Sequence, residues 1–416
     1  MRVSRDGVAQ VDVELVRERC HPREDVGELV SLLLDGALAH RLCELAEFFG
    51  EPGDRRGHAA GSIAVAVRPF DHLLQRRQIH GRAAYPFRAR LPAGTVPRRG
   101  GFVEHVSRHH PVLGTSLEVR VTPPGDPDDA DAPVRARSIE DAVLAEFDRL
   151  EECCSAYRPD SAFARWRSGL IDDPGPELVD LLGLAADWLV RSAGAFHPAT
   201  GAATARWRRA GVEGIEPSDD ELAVLAAPSV PYLVTGGAIR RTGDTSVVDL
   251  HAIAKGWIVD RAVEVGRRAG ASRLVVNAGG DLVHAGEGAV VVDVEDPLRA
   301  HDNAPPLDRV RLCAAALATS GRSRRGVRVG TRWFGHVIDP RSARPIEHVA
   351  SASVIAPDAA TADAIATVVG VLDPDESMAW VRGLEAAEHV ACCLVLADGT
   401  VVADDRWLAA RVSRDR

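Results

Sequence analysis

One lysine, Lys255, stands among the 50 basic residues of this 416-residue chain; all the others are arginine. A bias this strong marks a background in which arginine replaces lysine wherever the exchange is tolerated. The two side chains differ in hydration, shape and donor geometry, so a lone survivor points to a place where a guanidinium does not serve. The alternative is chance survival on a surface, and the small-residue motif around Lys255 favours function. The chain also lacks positive charge overall. Its formal net charge is −10, which excludes the basic footprint of an electrostatic nucleic-acid binder. It has no run of about 18 uncharged apolar residues, so no membrane span is expected. The N-terminal MRVSRDGVAQVDVE has no apolar core of the secretory type, so no signal peptide is visible. Seven cysteines (Cys20, Cys43, Cys153, Cys154, Cys313, Cys392 and Cys393) include no C-x-x-C pair. That argues against a zinc knuckle or a redox motif and for buried, reduced thiols in a cytosolic protein. What is present, 46% hydrophobic and 26% charged residues, builds a packed core and excludes a disordered or collagen-like chain.

Residues 1–100 differ from the rest and are expected to form a separate extension. Residues 26–49 are apolar and helix-like, and residues 55–100 carry ten arginines against one acidic residue, Asp71. A basic arm for an acidic partner is one reading of that block. A poorly ordered extension is the other, favoured because no aromatic or helical pattern organises the arginines. From residue 101 to 416 the text is regular. SLEVRV (116–121) alternates like a strand. PPGDPDDADAP (123–133) reads as a loop, and Ser138 as the cap of a helix with Ile139, Val143, Phe147 and Leu150 on one face. Pro174-Gly175-Pro176 opens a second helix, for which Gly194 is a stop. TSVVDL (245–250) reads as a strand, followed by a helix from about Trp257 to Gly270. RLVVN (273–277) and AVVVDV (289–294) read as strands, and CCLVLADGTVVA (392–403) as a hairpin turning at Asp398-Gly399. The mixture predicts an α/β or α+β fold with mixed sheets flanked by helices.

Four segments carry residues suited to chemistry. In DLHAIAKGWIVDRA (249–262) a strand end passes through small residues into a helix, with Lys255 at its start. Helix-start amides favour anions and a lysine adds a point charge, which suits a phosphate. An ordinary strand-to-helix turn explains the spacing equally well, and the lone lysine tips the balance. In VVNAGGDLVHAG (275–286), Gly279 and Gly280 permit positive φ or close approach of a ligand, with Asp281 directly behind; a glycine β-turn is the commoner explanation. In FGHVIDPRSARP (334–345), His336 has the chemistry of a general base, although a lone histidine is more often structural. In APDAATADAIATVVGVL (356–372), Asp363 and Thr367 stand four apart, one above the other on a helix. A carboxylate and a hydroxyl so placed are hard oxygen ligands suited to Mg²⁺, and the uncharged, alanine-rich surroundings favour that over a helix-capping aspartate.

Together these motifs resemble the FAD:protein FMN transferase (ApbE-like flavin transferase) family, over about Phe102 to Asp404. The matching pieces, in the family's order, are Gly114-Thr115 in VLGTSLEV, the SAYRPDS stretch from Ser155 to Ser161, Gly194-Ala195-Phe196, DLHAIAKG, VNAGGD, ALATSG (316–321), HVIDP and ADAIAT (362–367). Each alone is weak; eight in order are specific. The resemblance implies an ApbE-like fold and an enzyme that uses Mg²⁺ to transfer FMN from FAD to a threonine hydroxyl of an acceptor protein, releasing AMP. It implies that Asp363, Thr367 and the backbone carbonyl of Ala252 hold the metal, that Lys255 approaches the pyrophosphate, and that His336 takes the acceptor's proton. Gly114, Thr115, Asp249, Gly279, Gly280, Asp281, Thr319 and Ser320 then fall in the flavin-nucleotide pocket.

The chain departs from the family pattern at several positions. His251 replaces a small residue, His197 an aspartate, Arg322-Ser323 an Asp-Tyr pair, Arg167 an asparagine, and Ser342-Ala343 a Thr-Gly pair. These positions touch flavin and acceptor contacts more than the metal set. They keep two alternatives in view: an FAD pyrophosphatase that gives FMN and AMP with water as acceptor, and a catalytically silent FAD-binding protein. The family often carries a lipoprotein signal; none is visible here, which implies the cytoplasm.

Overall fold

The computed structural model describes residues 104–126, 129–301, 304–384 and 389–412, with the backbone of three further strands. The chain divides into two units, Met1–Pro86 and Phe87–Arg416. In the first, the described residues are the short antiparallel pair Arg2–Val3 and Ala9–Gln10. The helix expected over 26–49 lies outside the described residues. So does the arginine-rich segment 55–100, apart from the backbone of Ala89–Val96.

Nine strands of the second unit make one sheet. They are β1 (Ala89–Val96), β2 (Glu104–Val112), β3 (Thr115–Thr122), β4 (Arg273–Ala278), β5 (Asp281–Gly286), β6 (Ala315–Gly321), β7 (Val349–Ala356), β8 (Ala391–Leu396) and β9 (Val401–Ala403). Each strand pairs antiparallel with its neighbours in sequence, so the order in space is the order in the chain. The helices enter as excursions from this meander. Between β3 and β4 come α1 (Ala132–Cys154), α2 (Pro176–Arg191), α3 (Gly201–Glu213) and α4 (Ala254–Arg268). Between β7 and β8 comes α5 (Ala359–Val371).

Period-two alternation divides the sheet's side chains between two cores. On one face Val276, Val283, Ala316 and Ala356 pack under the helices, where α1 contributes Ile139, Val143, Phe147 and Leu150. On the other face Leu282, Leu317 and Ile355 are covered by the hairpin Val290–Val294/Asp308–Leu312 and by Trp407, whose Nε1 donates to Asp308 Oδ2 at 3.0 Å. A third cluster surrounds α3. There Trp207 packs on Phe334 with ring centroids 4.7 Å apart and donates to the Ala343 carbonyl at 2.8 Å.

Most expected elements are present, and two are not as expected. The first long helix starts at Ala132 rather than near Ser138, because Pro133 occupies an initial helical position that needs no N–H donor. Residues 245–250 are not a strand. Asp244 accepts from Ser246 N and closes a 3₁₀ turn over Thr245–Val247, and Asp249 N donates to Pro198 O instead of to a strand. Five helices went unexpected: Ala162–Arg167, α3, Asp219–Leu225 with its Ser218/Glu221 capping box, Pro374–Arg382 and Asp405–Ala410.

Helix α5 is buried almost all round. It packs on β6 and β7 on one side and on α4 on the other, which is why its sequence shows no polar face. The approach of α4 is close at Gly256, where a Cβ would lie 2.3 Å from the Ala359 carbonyl oxygen. Backbone cannot yield as a side-chain tip does. Gly256→Ala is therefore expected to lower stability by about 1–3 kcal/mol through overpacking, read as a reduced midpoint in urea unfolding; an unchanged midpoint contradicts the packing described.

Candidate active site

The start of α4 is built from a turn rather than a strand. Ile253 is its N-cap and offers no side-chain cap; the Leu250 carbonyl takes the Ala254 amide at 2.8 Å, and the next amides of the turn are left to other partners. One of them, Gly256 N–H, donates to the carboxylate of Asp363 on α5. Just before the helix, Asp249 accepts from His251 N at 2.9 Å and also binds His251 Nδ1. Burial pushes the Asp249 carboxyl upward, but the hydrogen bonds and charge of His251 outweigh it, and the net shift is downward. No backbone hydrogen bond ends on the Ala252 carbonyl among the described residues.

The centre of the site is electrostatic. Lys255 Nζ pairs with Asp281 Oδ2, and Asp281, the first residue of β5, is 1% exposed. Asp363 faces the same carboxylate from α5 and is 5% exposed. One ammonium thus stands against two buried carboxylates. Burial first, and then the charge of Asp281, push the Asp363 carboxyl up to about 8, with Lys255 acting in the opposite sense. Asp363 Oδ2 and Asp281 Oδ1 are buried without a hydrogen-bond partner among the described residues. Buried orphan oxygens of this kind call for a ligand. Among the described residues no three His, Cys, Asp or Glu side chains form a metal-binding group. The oxygens at hand are carboxylate, the hydroxyl of Thr367 one turn beyond Asp363, and the Ala252 carbonyl, a donor set that fits a hard cation such as Mg²⁺.

The walls come from loops and strand ends. Gly279 has φ +59° and Gly280 φ +101°, and a Cβ on Gly279 would lie 2.2 Å from Thr115 Oγ1. The Gly114-Thr115 turn and the Gly279-Gly280 turn are therefore in direct contact, the Thr115 side chain lying where a side chain on Gly279 would have to go. Thr319 and Ser320 lie on β6 beyond its last pair with β5, Leu317–Leu282, and so reach past the level where β5 begins. Thr319 Oγ1 is 2.9 Å from Ser353 Oγ. His336 lies between the strands Arg332–Gly335 and Ile338–Asp339, on the segment that α3 anchors. Its ring is accessible yet closely flanked. Desolvation, then the charge of Arg325, push it down to about 4, with His251 and Lys255 adding smaller effects of the same sign. The Arg325 backbone carbonyl accepts from it. At pH 7 this imidazole is neutral.

The structure thus brings together Lys255, Asp281 and Asp363 by direct interaction, with Thr367 one helical turn away and His336 within electrostatic reach. Gly114, Thr115, Gly279 and Gly280 form a second contact group beside Asp281. Two participants were not singled out from sequence. Tyr157 is exposed, with its ring 5.5 Å from that of His251 and its hydroxyl 3.4 Å from an Arg208 nitrogen. Asp260, one turn beyond Gly256 on α4, accepts from the amides of Ala359 at 2.8 Å and Ala360 at 2.9 Å. Its spacing of four from Gly256 was the available signal. The helix-capping alternative for Asp363 is excluded, since Asp358 is the N-cap of α5 and accepts from Thr361 N at 2.7 Å. Of the departures, Arg167 reaches the Val248 carbonyl at 3.4 Å and Arg322 the Glu347 carbonyl at 3.0 Å. His197 Nδ1 accepts from Ala199 N at 3.1 Å.

The sequence model of the ApbE family matches residues 113–394. The FAD:protein FMN transferase of Rhodobacter capsulatus is 31% identical over 342 residues, 77% of this chain and 62% of that protein, so the match spans less than two thirds of its length. The FAD:protein FMN transferase of Klebsiella pneumoniae is 26% identical over 264 residues, 60% of this chain and 75% of that protein. The crystal structure of the ApbE protein from Thermotoga maritima superposes with a TM-score of 0.63 at 24% identity, covering 74% of this chain and 100% of that one.

A proton held by Asp363 in the folded protein, and released by the unfolded chain above about 4, ties stability to pH. The contribution is fully present below about 4 and lost as pH rises through about 8. In metal-free protein the urea unfolding free energy, relative to Asp363→Asn, is expected to fall over that window. Parallel profiles for the two proteins contradict the assignment.

Proposed function

The chain belongs to the ApbE family, and from that premise we propose that it is a Mg²⁺-dependent FAD:protein FMN transferase, moving FMN from FAD to a threonine hydroxyl of an acceptor protein and releasing AMP. The observation that carries this reading is the cluster of Lys255 with the two buried carboxylates, Asp281 and Asp363. Mg²⁺ would be held by Asp363, Thr367 and the Ala252 carbonyl, and when bound supplies positive charge to a pyrophosphate. Lys255 would neutralise phosphate oxygens from the start of α4. The Gly279-Gly280 turn, with Gly114, Thr115, Asp249, Thr319 and Ser320, would seat the flavin nucleotide.

Transfer then requires a weak alcohol nucleophile to reach the FMN phosphorus. A ring nitrogen of His336 takes the hydroxyl proton as the oxygen–phosphorus bond forms, and the bond from phosphorus to the AMP oxygen breaks. Phosphoryl and proton chemistry are thus divided between two parts of the chain: the α4–α5 contact binds charge, and the α3-anchored segment carries the base. The departures at Arg322 and Ser323 fall on that second part and bear on acceptor choice.

The test is AMP release from FAD with Mg²⁺, with and without an acceptor domain that carries a threonine flavinylation motif. Acceptor-dependent AMP with a fluorescent acceptor band is the expected result. AMP without a labelled band identifies a pyrophosphatase instead, and bound FAD without AMP identifies a silent binder. Asp363→Ala is expected to abolish turnover, and His336→Ala to slow transfer by about 10²–10⁴-fold. Full transfer by the His336 variant removes it as the base.

A further inference from the structure

The contact between α4 and α5 is reciprocal, and the function proposed above uses only half of it. In one direction Gly256 N–H, from the first turn of α4, donates to the carboxylate of Asp363. In the other, Asp260 sends a carboxylate from α4 to two amides in the first turn of α5, Ala359 N at 2.8 Å and Ala360 N at 2.9 Å. Between these bonds Gly256 lies against the Ala359 carbonyl with no room for a side chain.

Local capping does not explain Asp260. Helix α5 already has its own cap: Asp358 accepts from Thr361 N at 2.7 Å and from Thr361 Oγ1 at 2.9 Å, and Ala362 N reaches Asp358 O at 3.1 Å. The two amides left over are those that Asp260 takes. Its oxygens match their spacing, so the bond fixes both the distance between the helices and the rotation of α5 about its axis. That rotation decides where Asp363 and Thr367 point, one and two turns further on. The turn before α4 carries Ala252. Asp260 therefore ties together the two pieces of chain that would supply the cation's oxygens.

We propose that Asp260 is a positioning residue for the divalent cation, setting the register of α5 against α4 so that Asp363 and Thr367 face the Ala252 carbonyl. The inference rests on the cation site proposed above. Residues that orient metal ligands without touching the metal alter metal affinity by about 10–100-fold when replaced.

Mg²⁺ binding to the full-length protein, followed by titration calorimetry and by the shift of the melting temperature, tests it alongside turnover. Asp260→Ala removes both acceptors and is expected to raise the Mg²⁺ dissociation constant by about 10–100-fold, with kcat recovering at saturating Mg²⁺. Asp260→Asn preserves shape and keeps one acceptor, so an intermediate shift is expected; it carries the test should the alanine variant fail to fold. A folded Asp260 variant with unchanged Mg²⁺ affinity overturns the proposal, as does a loss of kcat that Mg²⁺ does not restore. Asp363→Ala serves as the control. If it binds Mg²⁺ as the wild type does, the cation site itself is misassigned and the role of Asp260 falls with it. If Asp363→Ala loses binding while the Asp260 variants keep it, only the role of Asp260 falls.

Discussion

A single ammonium set against two buried carboxylates is the constraint on which the rest of this structure depends. Removing Asp281 and Asp363 from water costs several kcal/mol per ion unless opposite charge and hydrogen bonds offset it. Lys255 offsets one carboxylate and the Gly256 amide part of the other. In the metal-free protein the remaining charge is met by the proton that Asp363 holds, in surroundings closed in by α5, a helix with almost no polar surface. Such an arrangement is poor as a stabilising device and well suited to receive positive charge. The close contact at Gly256, the caps of α5 and the packing of Gly279 on Thr115 all keep those surroundings fixed.

The segment around His336 is shared between two hydrophobic clusters: Phe334 and Ile338 pack with α3, and Val337 packs in the central core. His336 rides on a segment pinned by Trp207 of α3, through a ring contact with Phe334 and a hydrogen bond to Ala343. The carboxylates rest on the central core beneath the sheet.

The sequence made the sheet legible where alternation was clean, as in SLEVRV, and where a turn signal was unambiguous, as at Asp398-Gly399. It misled at 245–250. There an apolar, β-branched run reads as a strand, but the Asp244 side chain and the Pro198 carbonyl take the hydrogen bonds that a sheet would have used. The start of α1 was misplaced because composition marks Pro133 as loop, whereas the first turn of a helix accepts it. In the site, Lys255 stood out by rarity and Asp363 by isolation in an uncharged helix. Asp260 did not, since an aspartate on a helix among arginines looks like an ordinary surface charge. Only the partner helix, nearly a hundred residues away, gives it meaning. Tyr157 was hidden for the same reason, because its neighbour His251 is close only in space.

The contacts that define the site are all distant along the chain. Thr115 meets Gly279, Gly256 meets Asp363, and Asp260 meets Ala359. Pairings of this kind carry a loop-closure cost that local elements do not, so they slow folding and complete it late. The pairing of β3 with β4 is of the same kind, since the whole excursion carrying α1 to α4 lies between the two strands. A ligand that touched all of these residues would thus report on the whole second unit of the chain: a partly folded form has the residues but no place where they meet.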